Sequence, residues 1–162
     1  MIFELLPLLQ GWRWHKIDVN TTITRGSPKY IYKKTDEAGW LLGFYMYTNV
    51  KEMTLEIITR DVIGGDRKLS ITPSTLNARG EVSFNMYRPY LAKYDASGDN
   101  YVVIYNPLRA WGYRGMISVK ASIPATSSST SGTLILDIRG VVIENYELFK
   151  SSLKKYAGDY GL

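Results

Sequence analysis

The sequence predicts a mainly β fold, namely an antiparallel two-sheet β-sandwich of the jelly-roll type. We expect about 8–10 strands and one short C-terminal α-helix. Short segments of alternating apolar and polar residues recur, turn residues separate them, and no helical pattern lies between them. With 162 residues the chain can bury one core. We therefore predict an N-terminal arm at 1–11, a single sandwich domain at 12–157 and a C-terminal tail at 158–162.

The strongest strand pattern lies at 40–61. Alternation of large apolar residues predicts two strands, at 40–48 and 52–60, joined by a polar turn at 49–51 into a hairpin. Residues of these strands that share one face are expected to fill the core: Trp40, Leu42, Phe44, Met46, Met53, Leu55 and Ile57.

The remaining strands follow from the same alternation and from Gly, Pro and Asn breakers. They are predicted at 12–19, 21–25, 29–33, 67–72, 81–87, 101–105, 115–123 and 133–139. Two connections are distinctive. A polar loop is expected at 35–39, and the Ser- and Thr-rich stretch 124–132 is expected to be a mobile hairpin loop.

The C-terminal helix is predicted at 145–157. Asn145 can serve as its N-cap. Tyr146, Phe149 and Leu153 follow helical spacing, and Gly158 can end the helix.

Composition excludes several classes of site. The chain has no cysteine, so disulfides, thiolate metal sites and cysteine nucleophiles are excluded. The formal charge is +5, but lysines and arginines are scattered rather than gathered in a stripe. A scattered distribution does not favour nucleic acid as the partner.

No catalytic residue, metal site or cofactor is predicted, and we expect a protein that is not an enzyme. His15 is the single histidine, and no Gly-x-Ser-x-Gly elbow accompanies it. The loop at 95–100 carries oxygen ligands that calcium could use, without the spacing of a known calcium loop.

Targeting signals are also not expected. No apolar run approaches the roughly 20 residues of a membrane span. The apolar segment 1–10 contains Glu4 and lacks a basic n-region, which is unlike a signal peptide. No localisation is predicted, and the expected absence of a signal peptide and a membrane span is compatible with a virion.

The candidate binding residues combine aromatic and basic side chains in loops beside strand ends. They are Tyr87, Arg88, Tyr90, Tyr94, Arg109, Trp111, Tyr113 and Arg114. Arg, Tyr and Trp are enriched at interface hot spots, and aromatic rings also stack on sugars and bases. In the competing interpretation, Trp111 and Tyr113 fill the end of the sandwich core and the arginines cover them.

The leading hypothesis is a non-enzymatic structural protein of an assembly, with copies of itself or other subunits as partners. The concrete version is a virion component, such as a minor capsid, decorating or spike subunit. One alternative is a carbohydrate-binding module or receptor-binding domain that uses the aromatic loops. A second alternative is an oligonucleotide-binding β-barrel. The predicted architecture is similar in outline to jelly-roll domains of virus particles and carbohydrate-binding modules, which is an analogy of fold alone.

Overall fold

The computed structural model describes residues 12–61, 65–143, 146–147 and 150–151. Within these ranges the chain is mainly β, as predicted. The elements, in chain order, are β1 (Trp12–Thr24), β2 (Lys29–Thr48), β3 (Thr54–Asp61), β4 (Gly65–Ile71), α1 (Pro73–Ala78), β5 (Tyr90–Asp95), β6 (Asn100–Tyr105), β7 (Trp111–Ser122) and β8 (Ser131–Ile143).

All eight strands belong to one antiparallel sheet. Its main order is β1-β8-β2-β7-β3-β4, while β6 pairs with β2 and β5 pairs with β6. In the described part of the chain β1 and β4 lie at opposite ends of this order, so the sheet is not a closed barrel. The strand pairing therefore confirms an antiparallel β fold, and it does not by itself divide the strands into two sheets.

The two strands predicted at 40–61 exist, but the predicted hairpin is wrong. β7 lies between β2 and β3 and pairs with both. The connection from β2 to β3 contains a tight turn, in which the Met53 N–H donates to the Val50 carbonyl at 3.1 Å. It also packs on the core, because Val50 and Met53 are buried. The Thr48 hydroxyl contacts the Met53 sulfur at 3.3 Å and accepts the Val50 N–H at 3.1 Å.

The second predicted hairpin, across 124–132, is also wrong, because β2 lies between β7 and β8. The Ser- and Thr-rich stretch instead connects two strands that are separated in the sheet. Hydrogen bonds tie it to the end of β1. Arg25 donates from its guanidinium to the Ser127 carbonyl at 2.9 Å and from its backbone N–H to the Thr130 carbonyl at 2.9 Å.

β2 is a single strand of 20 residues where the sequence predicted a short strand, a loop and a second strand. Its N-terminal part pairs with β7, and its C-terminal part pairs with β8 on one edge and β6 on the other. The register shifts at three places, which include the segment around Asp36 and the segment around Gly43. Asp36 has φ of 61°, a conformation that Asp tolerates better than most residues.

The shift at Gly43 changes which side chains of β2 reach the core. Leu41 before it and Phe44 and Met46 after it are buried. Leu41 was predicted on the outer face, whereas Trp40 and Leu42, predicted inside, are only half-buried. A β-bulge inserts one residue into a strand, so the alternation of faces changes parity there.

Among the described residues, most of the core is one cluster of buried side chains to which almost every element contributes; a second, small cluster contains Ala38 and Ile143. The aliphatic centre of the main cluster comes from β3, β7 and β8, and all of it is at most 4 % exposed. These residues are Leu55, Ile57, Ile117, Val119, Leu134, Leu136 and Ile138.

The segment between β4 and β5 differs from the prediction. β4 ends at Ile71, and Pro73 occupies the first turn of α1, a helix that the sequence did not predict; a missing N–H is tolerated there. The predicted strand at 81–87 is irregular. Of the predicted C-terminal helix at 145–157, residues 146, 147, 150 and 151 are helical. The rest of that helix, the arm at 1–11 and the tail at 158–162 lie outside the described residues.

On the outer face of β3, the Glu56 carboxylate lies between two lysines of neighbouring strands. Lys120 of β7, its cross-strand partner, is 2.7 Å away, and Lys68 of β4 forms the second ion pair. Hydrogen bonds from Lys120 and Lys68 hold the pKa of Glu56 below its usual value of 4.5. The charged carboxylate therefore stabilises the folded state.

Replacing Gly43 by alanine should destabilise the fold by about 2 kcal/mol or more. A Cβ there would overlap the carbonyl oxygen of Tyr105, and φ at Gly43 is +153°, which L-residues rarely adopt. Urea unfolding measures the change. Gly112→Ala is the control, because its Cβ would meet Trp40 at an ordinary 3.4 Å. Equal losses in both variants would contradict the role of the bulge.

Removing the Glu56 charge should change the pH dependence of stability. The folded pKa of Glu56 is lowered, so its contribution is complete above the unfolded value of about 4.5 and is lost as pH falls through the folded pKa. Glu56→Gln should therefore be less stable than the native chain at neutral pH, and the difference should shrink on acidification. Unfolding curves at several pH values, with Lys120→Met in parallel, measure this. A difference that is independent of pH would refute it.

Candidate functional site

The structure distributes the eight predicted binding residues over three parts of the fold. Tyr87, Arg88 and Arg109 lie in irregular connections, Tyr90 and Tyr94 in β5, and Trp111, Tyr113 and Arg114 in β7. The first three are exposed. The predicted set is therefore not one continuous surface.

Tyr113 and Trp111 pack with the core. Tyr113 is 4 % exposed and belongs to the core cluster, and Trp111 is half-buried against it. The Trp111 indole nitrogen is buried and has no hydrogen-bond partner among the described residues. A stacking platform needs an accessible ring face, so Tyr113 cannot supply one in this conformation.

A buried carboxylate explains the position of the Tyr113 hydroxyl. Glu37 of β2 is 8 % exposed. One of its oxygens accepts the Tyr113 hydroxyl at 2.6 Å, and the other accepts the Tyr32 hydroxyl at 2.7 Å. Burial, followed by the bond to Glu37, raises the pKa of Tyr113 far above its usual value, so this phenol remains a donor. The network joins β2 to β7.

His15 lies beside this network. Its ring centroid is 5.1 Å from that of Tyr32, and its Nε2 is buried without a hydrogen-bond partner among the described residues. The ring packs against an aromatic neighbour, as expected of a half-buried strand residue.

Tyr94 and Tyr90 pack within the structure rather than projecting from it. Tyr94 lies 5.0 Å from the ring of Tyr101, across the β5–β6 pair. Tyr90 is half-buried, and Phe84 meets its ring edge-on at 5.7 Å. Tyr90 therefore supports the segment that precedes β5.

That segment, 81–91, is a closed loop. Its two ends are joined by a 2.8 Å hydrogen bond from the Leu91 N–H to the Glu81 carbonyl. Inside the loop, the Asn85 side chain accepts the N–H groups of Tyr87 and Arg88 at 2.7 and 3.1 Å. Compact surface loops with adjacent ends are frequently functional.

The loop is also attached to the β6–β7 connection. The Leu108 N–H donates to the Met86 carbonyl at 2.9 Å. The loop that carries Tyr87 and Arg88 is therefore joined to the connection that carries Arg109.

Apolar side chains cover this loop and the attached connection. We call them the apolar patch: Val82 (53 % exposed), Phe84 (66 %), Met86 (41 %), Tyr87 (74 %) and Leu108 (64 %). Monomeric soluble proteins rarely expose large contiguous apolar patches, and exposed apolar surface rimmed by polar residues marks interaction sites. The patch is the strongest candidate for a functional site in the described part of the chain.

Arginines flank the patch in sequence. Arg79 precedes the loop, and Arg88 and Arg109 follow Tyr87 and Leu108; all three are exposed. Arg88 contacts the Glu81 carboxylate at 3.6 Å. The surroundings of the patch are therefore polar and basic, as at the rim of a protein interface.

Four of the five patch residues were missed as binding residues from the sequence. Val82, Phe84 and Met86 share one face of the strand predicted at 81–87, but the segment is irregular and all three side chains are exposed. Gly80 and Pro89, which bracket the segment, were the available signal that it is a loop.

The acidic turn at 95–100 uses its carboxylate locally. The Asp95 side chain accepts the Gly98 N–H at 2.9 Å and the Ser97 hydroxyl at 2.8 Å. The Gly98 bond, followed by that of Ser97, lowers the pKa of Asp95. Asp95 therefore shapes the β5–β6 turn.

Two further searches cover only the described residues. No group of three or more His, Cys, Asp or Glu side chains there could hold a metal ion. No helix in the same residues has the length and apolarity needed to cross a bilayer.

Comparison with known proteins gives the chain no family. No model of a protein family matches the sequence, and no curated protein matches it either.

Replacing Tyr113 by phenylalanine should lower the free energy of unfolding by about 1–3 kcal/mol, because one buried oxygen of Glu37 loses its donor. Chemical denaturation measures the loss. Tyr87→Phe removes the same hydroxyl from an exposed ring and should change stability by less than about 0.5 kcal/mol. Equal effects of the two substitutions would contradict a structural role for the Glu37 network.

Proposed function

We propose that this protein is a non-enzymatic subunit of a multi-subunit assembly and that the apolar patch is a contact surface in that assembly. The observation that carries the proposal is the exposure of five large apolar side chains on one closed loop and its attached connection. Their partners are copies of the same chain or other subunits.

The energetic argument concerns the cost of leaving these side chains in water. Fully burying one large apolar side chain is worth about 1.5–3 kcal/mol. Phe84 and Tyr87 are aromatic, and aromatic residues are enriched in the cores of interfaces. The ends of the loop are fixed by hydrogen bonds, so binding a partner would order few additional residues.

The charges near the patch favour one type of contact. If two patches met around a twofold axis, Arg79, Arg88 and Arg109 of each copy would approach the same arginines of the other. Like charges across an interface are unfavourable. We therefore propose a heterologous contact, in which the patch meets a different surface of the next subunit. Such contacts build rings or filaments.

The virion component predicted from the sequence, as a minor capsid, decorating or spike subunit, is the concrete version of this proposal. A ring or filament of heterologous contacts is compatible with each of these roles. The two-sheet, jelly-roll form of the fold belongs to the same proposal. It is supported by the core, in which side chains of β8 and β1 pack in one cluster with those of β3 and β7.

Size-exclusion chromatography with light scattering tests the assembly proposal. The native chain should form species larger than a monomer as its concentration rises, and Phe84→Asp should shift it towards the monomer by about tenfold or more in dissociation constant, because a charge would be buried in the contact.

Tyr30→Asp is the matched control. Tyr30 is 57 % exposed and lies in β2, away from the 81–91 loop in sequence. Its replacement should leave self-association unchanged. A native chain that remains a strict monomer at high concentration would refute self-assembly through the patch, as would equal effects of the two substitutions.

A further inference from the structure

A groove lies on the outer face of the sheet. None of the residues that line it belongs to the apolar patch. The volume of the groove is about 700 Å³, within the usual range for small-molecule sites. Polar and charged side chains of β1, β8 and the chain after β6 surround it, with Tyr45 of β2 beside them. Those used in the argument are Lys16, Tyr45, Asn106, Asp137 and Arg139.

The bulge at Gly43 forms part of this groove. Gly43 lines it, and a Cβ at that position would come within 2.9 Å of the Asn106 side-chain oxygen and overlap the Tyr105 carbonyl. The absence of a side chain at Gly43 therefore lets the Tyr105 carbonyl and the Asn106 amide approach the β2 backbone closely. The sheet register then sets the neighbours, because Asp137 is the cross-strand partner of Tyr45, and Arg139 is that of both Gly43 and Lys16.

Two donors, Lys16 and Arg139, converge with one acceptor, the Asp137 carboxylate, in the groove. One oxygen of Asp137 lies 3.5 Å from the Lys16 ammonium and 3.9 Å from the Arg139 guanidinium. The other oxygen is buried and has no hydrogen-bond partner among the described residues. Because this oxygen is shielded, a ligand hydroxyl would reach Asp137 through the carboxylate oxygen that faces the two cations.

We infer that this groove binds a neutral polyhydroxylated ligand, a saccharide. A hydroxyl group both donates and accepts hydrogen bonds. It can donate to Asp137 and to the Asn106 oxygen, and accept from Lys16 and Arg139. Tyr45 is 40 % exposed and offers an apolar ring surface to the C–H face of a sugar.

Charged ligands fit the groove less well. An anion would gain from Lys16 and Arg139 but would meet the Asp137 carboxylate. A cation would be attracted by Asp137 and repelled by Lys16 and Arg139. Asp137 lies within ion-pair distance of both cations and offsets part of their charge. A neutral ligand with many hydroxyls can hydrogen-bond to the carboxylate and to the cations at once. This site is independent of the apolar patch, and a result at one does not decide the other.

The test is an NMR titration of the ¹⁵N-labelled full chain with neutral saccharides: glucose, galactose, mannose, maltose, cellobiose and lactose, with glucuronate and glucosamine as charged comparisons. We expect at least one neutral saccharide to cause saturable shifts at the amides of Gly43, Tyr45, Asn106 and Asp137. Absence of such shifts across the neutral set, or shifts with the charged sugars alone, would overturn the inference.

Two variants test the assigned contacts. Asp137→Asn and Tyr45→Thr should each weaken the saccharide by about tenfold, by removing the carboxylate acceptor and the ring surface respectively. Threonine suits a strand, and asparagine is isosteric with aspartate, so the dispersed spectrum should persist.

Asp18→Asn is the matched control. Asp18 also pairs with Lys16, at 3.4 Å, but its side chain is 67 % exposed and it is not among the residues that line the groove. The Asp18→Asn variant should bind the saccharide as the native chain does. Binding that is equally strong in all three variants would overturn the inference, as would equal weakening by Asp18→Asn.

Discussion

The hydrogen bonding of β2 is the constraint on which the rest of this structure depends. β2 pairs with β8 on one edge. On its other edge it pairs with β7 along its N-terminal part and with β6 along its C-terminal part, so it joins these three strands into one sheet. The bulge at Gly43 lets the strand continue with the opposite parity, which brings Leu41, Phe44 and Met46 into a single core. The same bulge shapes the polar groove on the outer face. Core packing and the proposed saccharide site thus share one backbone feature.

Local sequence patterns were sufficient for most of the strands and insufficient for their pairing. Alternation is a property of neighbouring residues, so the strands around Phe44, Leu55 and Leu136 could be predicted from it. Partners are decided by contacts between distant parts of the chain. Val50, within the connection after β2, both opens a tight turn and is a core residue, and no local signal shows that β7 lies between β2 and β3.

The sequence predicted the region of the candidate site but not most of the residues that form it. Phe84 alternates with neighbouring apolar residues much as Leu136 does, yet Phe84 is 66 % exposed and Leu136 is fully buried. Alternation shows that side chains share a side and does not show what covers that side. Tyr113 is the opposite case, a candidate binding residue for which core packing was the competing interpretation. Its aromatic and basic sequence neighbours indicated a surface, whereas its hydroxyl reaches the buried carboxylate of Glu37.

The strand order also has a consequence for synthesis. Trp12 pairs with Ile143, and β2 acquires its β8 neighbour only when residues 131–143 have left the ribosome. Until then the nascent chain exposes the apolar face of β2 and an unpaired edge, both of which favour aggregation. Sequence-distant pairing also slows folding, since loop closure precedes the stabilising contacts. The edge of β2 that pairs with β8 therefore stays unpaired until β8 has been synthesised.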